Sequence, residues 1–120
     1  MRTLTDNEKE FLINYTDECE DDIEKVHQAV NLIRDASIQS LCEVVLHPKS
    51  NSICSVIAHY LNDNADRLGF TESVAVEKMA RVKRAPYAIN QFILNPAELT
   101  FIEKVQTDII EKVMQKGFGE

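Results

Sequence analysis

Tryptophan is absent, and glycine, proline and cysteine occur only three times each in 120 residues. So little glycine and proline leaves room for few loops and excludes low-complexity and collagen-like chains. No linker or internal repeat divides the chain, and at roughly 150 residues per domain, residues 1–120 read as a single domain. The cysteines, Cys19, Cys42 and Cys54, are odd in number and show no CxxC spacing, which excludes a disulfide framework. They read as reduced thiols among apolar neighbours. Apolar runs stop at three residues, as in Val44-Val45-Leu46, where about 20 would be needed to span a membrane. The start, Met1 to Asp6, holds no apolar signal-like stretch, so a cytoplasmic protein is expected.

What is present is apolar residues, at 44% too many for disorder, and unevenly placed charge. Residues 1–24 carry nine acids against two bases and so hold the whole formal imbalance of −7. Between Lys78 and Ala97 stand four bases and no acid. An acidic end and a basic patch bear on partners rather than on fold.

Helical spacing dominates the pattern. Thr5-Asp6-Asn7-Glu8 has the spacing of a capping box and predicts a helix over 6–15, with Phe11, Leu12 and Tyr15 inward. Cys19, Ile23, Val26, Val30 and Ile33 recur at helical steps and predict a second helix over 17–35. Thr16 is a competent N-cap, and the like-charge pairs Asp17–Asp21, Glu18–Asp22 and Glu20–Glu24 favour a break there. Residues 41–46 suit a helix or a short buried strand; nothing nearby would pair with a strand, so a helix is expected. Ile53, Ile57, Leu61 and Leu68 predict a helix from about Ser52 that closes at Gly69. Thr71 should cap the next helix, which turns Ala75, Met79 and Val82 inward and ends at Pro86. Ile89, Phe92 and Ile93 predict a further short helix.

Asn95-Pro96-Ala97-Glu98 joins an N-cap, a proline at the first helical position and an acid two residues later. The last helix should run from there to about Lys116, with Gly117 as its stop. Its apolar residues cover roughly 200° of the helical wheel, against about 100° for a one-sided helix. That places it at the centre of the bundle or against a second copy, as a homodimer seam. The fold expected is an all-α, single-domain bundle of five to six helices.

Few residues point to catalysis. Glu24 and His27 share the E-x-x-H spacing of carboxylate-bridged metal bundles, but the second such pair is missing. Glu43 and His47 offer two ligands where a closed site needs four. Cys54 and His59, like Cys42 and His47, stand five apart on different helix faces, and no glycine-rich phosphate loop occurs. No catalytic residue, metal or cofactor is expected.

Two surfaces remain. Asp17, Asp21, Glu24 and Gln28 follow steps of four, three and four, opposite the apolar stripe. They would present carboxylates to a protein partner with a basic surface, and could block a nucleic-acid-handling protein by filling its groove. The plainer reading of a charge run is a solvated face. The alternative is DNA binding. Ala65 and Gly69 resemble a helix-turn-helix spacing, with Ala75 at the aliphatic position, and Lys78, Arg81 and Arg84 share one face of the following helix. Glu72 and Glu77 near that helix's start, and the overall acidity, oppose it. The leading expectation is a non-enzymatic regulator or inhibitor that binds a protein.

Overall fold

Six α-helices form: α1 (Asp6–Ile13), α2 (Ile23–Asp35), α3 (Ile38–Leu46), α4 (Ser52–Leu68), α5 (Phe70–Arg84) and α6 (Pro96–Phe118). They are seen in a computed structural model that describes residues 1–118, with side chains to residue 115. Two 3-10 helices, Asp17–Asp21 and Pro86–Gln91, add to them, and no strand occurs among the described residues. The fold is all-α. Helical segments outnumber the expected five to six, in part because Asp17–Asp21 coils separately from α2.

The N-terminal box forms as its spacing predicts. Thr5 Oγ1 accepts from Glu8 N, and Glu8 Oε1 accepts from Thr5 N. Ahead of it, Arg2 N donates to Asp35 O and Ser37 N to Arg2 O, both at 2.7 Å, tying the first residues to the α2–α3 link. The chain breaks near Thr16, but Thr16 makes no side-chain cap. Asp22 caps α2 instead, its Oδ1 accepting from Glu24 N and Lys25 N. A carboxylate at a helix N-terminus faces the positive end of the dipole, an advantage a hydroxyl lacks. The predicted 17–35 helix is thereby cut back to Ile23. Ile23 itself is 69% exposed, and the buried face of α2 is Ala29, Leu32 and Ile33.

The centre belongs to α3. Ser40 through Val45 are all buried, with α1, α4, α5 and α6 packed against the helix. Of the two places expected for the last helix, the centre is thereby taken: α6 buries Glu98, Ile102 and Val105, and all of these lie in its first half. Residues 41–46 are helix, not strand. Leu41, Ile33, Leu12, Ile57, Leu61 and Val76 join one core. Burying each such side chain contributes about 1.5–3 kcal/mol. Glu43 sits within this centre because two lysines reach it, Lys9 of α1 at 2.9 Å and Lys112 of α6 at 3.0 Å. Burial pushes the Glu43 carboxyl up, but the hydrogen bonds from Lys9 and Lys112 outweigh it and hold the group below the usual range.

In α4, Asn64 is non-helical at φ −128°, and its Nδ2 donates to Tyr60 O at 2.8 Å in place of a backbone amide. The helix bends there. Gly69 alone joins α4 to α5, at a φ of 94° that glycine adopts without a side-chain clash. Thr71 lies inside α5 and caps nothing. The short helix expected after Pro86 is a 3-10 helix over Pro86–Gln91, which leaves Ile89 and Ile93 exposed. Asn95 Oδ1 then accepts from Glu98 N, and Glu98 Oε1 from Asn95 N, both at 2.9 Å, so α6 starts where predicted. It continues past Gly117 to Phe118.

Candidate partner-binding surfaces

The acidic surface is built by the break after α1. Asp17, Asp21, Glu24 and Gln28 are all exposed. They do not form one α-helical row, since Asp17 and Asp21 belong to the 3-10 helix and Asp22 between the two helices is extended. None of Asp17, Asp21 and Glu24 forms an ion pair with a described residue. Other acids of the chain do: Glu8 with Arg2, Glu43 with Lys9 and Lys112, Glu77 with Arg81, Glu98 with Lys78. Exposed Ile23 stands within the acidic stretch, an apolar group the sequence pattern had placed inward.

The basic residues fare differently. Lys78 Nζ donates to Glu98 Oε1 at 2.6 Å and to Ile93 O at 3.1 Å, bracing the start of α6. Burial alone would raise the Glu98 carboxyl; the hydrogen bonds from Lys78 and Asn95 N, with the Lys78 charge, together outweigh it and hold the group down. Lys83 points inward to the end of α3. Arg81 Nε lies 3.6 Å from Glu77 Oε2, and Arg84 Nη1 donates to Asn51 Oδ1 at 2.6 Å. The last bond fixes the course of the two helices. Asn51 precedes α4 and Arg84 ends α5, so the ends far from Gly69 meet. At 1.5 Å per residue, a right-angle crossing would part those ends by about 30 Å. α4 and α5 are an antiparallel hairpin, whereas a helix-turn-helix crosses at about 90–120° through a turn of several residues. The three bases expected to face DNA thus include one, Lys78, that is turned to bracing α6.

The hairpin brings together residues that the sequence kept apart. A cavity of about 190 Å³ lies between its arms, lined by Ser55 and His59 of α4, Arg81 and Arg84 of α5, and Phe92 beyond the 3-10 helix. Ser55 and His59 stand four apart and the arginines three apart, so each pair is visible in the sequence. Their meeting depends on the antiparallel course, for which the one-glycine joint was the available signal.

Glu24 and His27 are both exposed, and no three His, Cys, Asp or Glu side chains gather in metal-binding fashion among the described residues. Cys54 is buried while His59 is exposed. Burial pushes the Cys42 thiol up to about 12 and raises Cys54 as well. No helix of the described residues is long and apolar enough to cross a membrane. Compared with protein-family models, curated proteins and solved structures, the chain matches none.

Proposed function

We propose that the protein is a non-enzymatic regulator that binds a protein partner with a basic surface through Asp17, Asp21 and Glu24. The observation that carries this reading is clustering: Asp17, Asp21 and Glu24 stand exposed within one short stretch with no cation of a described residue against them, whereas Glu8, Asp35, Glu43, Glu77 and Glu98 each meet one of the chain's own. Ile23 among them supplies an apolar contact of the kind that anchors charged interfaces. Charge of one sign on this face steers a cationic partner and sets its association rate. An inhibitor of a nucleic-acid-handling protein is the narrower form of the same reading, because such proteins carry a basic groove.

The test is a pair of charge-reversed variants with equal change in net charge. Asp17→Lys with Asp21→Lys alters the proposed face; Glu103→Lys with Glu111→Lys alters the exposed side of α6. Capture from lysate under graded salt should lose its salt-sensitive partners in the first variant and keep them in the second. Equal capture by both, with both folded by circular dichroism, reduces the acidic face to a solubilising surface.

A further inference from the structure

We propose that the cleft between α4 and α5 binds a phosphate monoester dianion borne on an apolar or aromatic group. The reading is independent of the acidic face. Two guanidinium groups, an imidazole and a hydroxyl line the cavity, through Arg81, Arg84, His59 and Ser55, and no carboxylate does. In a chain of net charge −7, a concave site lined by two permanent cations runs against the average of the molecule, even with Glu77 beside Arg81 from outside the lining. Each guanidinium has five donors. Arg84 gives one hydrogen bond within the protein, to Asn51, and Arg81 meets Glu77 only at 3.6 Å. The remaining forks match the planar, bidentate recognition of phosphate oxygens. Two forks can grip three phosphate oxygens at once, where a carboxylate offers only two.

The rest of the lining explains the space and the second half of the ligand. Ala58, Ala80 and Ala85 keep the facing arms short, and Phe92 closes one side with an aromatic ring. At about 190 Å³ the cavity is smaller than the 300–1,000 Å³ that encloses a drug-sized molecule. It takes a charged head and leaves its carrier outside the cavity.

The experiment titrates the full chain with phenyl phosphate, inorganic phosphate and phenol at low ionic strength, reading the His59 and Phe92 ring resonances by NMR. Phenyl phosphate should give a saturable shift at a concentration at least tenfold below that for either of the others. Arg81→Gln and Arg84→Gln should each weaken it tenfold or more, while Arg67→Gln, an equal charge change on an exposed part of α4, should not. Thermal melts of all three variants establish that they are folded. Non-saturating shifts, or equal weakening by Arg67→Gln, overturn the site. Phenol binding as tightly as phenyl phosphate overturns the anion, and inorganic phosphate binding as tightly overturns the apolar carrier.

Discussion

The last carbonyls of α3 point where no backbone amide of their own helix can reach, and the chain answers with single side chains. Lys83 crosses from α5 and donates to Val45 O at 2.9 Å, to His47 O and to Ser50 Oγ at 2.6 Å. Ser50, itself buried, donates to His47 O. A cation at a helix C-terminus also faces the negative end of the dipole. Burial lowers the Lys83 pKa, the sign of an ammonium held partly out of water. Lys83→Met keeps the apolar stem and removes the donors, so it should destabilise by about 1–3 kcal/mol. Urea denaturation checks this: the midpoint should fall with the slope unchanged. The sequence showed Lys83 only as one member of a basic run, and nothing in its spacing separated it from Lys78 or Arg84. Distinguishing an inward lysine from an outward one requires knowing where α3 ends and which helix passes over it.

At the scale of elements, the starts of helices were legible and their surroundings less so. The Thr5–Glu8 and Asn95–Glu98 boxes depend on residues three apart in the chain, so local spacing suffices to place them. The cap of α2 was misassigned because Thr16 and Asp22 both satisfy the local rule, and only the dipole and the packing of Leu32 and Ile33 choose between them. The central helix was missed for a related reason. α3 is only nine residues long, its short run also suited a strand, and its local spacing carries no sign that four other helices pack around it. The first box has a consequence in acid. The hydrogen bonds from Arg2 and then from Thr5 N hold the Glu8 carboxyl down to about 2. A group depressed when folded stabilises above its ordinary pKa and loses that contribution as pH falls toward its folded value. The Glu8→Gln variant should therefore melt below the parent at pH 7, and the gap should narrow from about pH 4.5 down to about pH 2. A constant gap across that range, in melts at pH 7, 4.5 and 3, would separate the capping geometry from its charge.

For the whole molecule, the open question is what meets the outer half of α6. After Val105 no residue of this helix is buried among those whose side chains are described, yet Ile110, Val113 and Met114 are 58%, 64% and 53% exposed. The wide apolar arc read from the sequence had two explanations, and the position of α3 removes the first. A second copy of the chain is the occupant we put forward for the other. The same stripe on both molecules makes a self-complementary, two-fold contact, the commonest form of association between identical chains. Lys9, Glu43 and Lys112 hold the base of this helix half to α1 and α3, so the stripe is presented on a braced element rather than a free tail. Light scattering after size exclusion should give twice the mass of 13.7 kDa at high micromolar concentration. Ile110→Lys with Met114→Lys, both at exposed positions, should return the monomer without lowering its melting temperature measured at dilution. A monomeric parent at every accessible concentration would sink the dimer and leave the stripe to a different partner, and the acidic face and the cleft would stand or fall on their own tests.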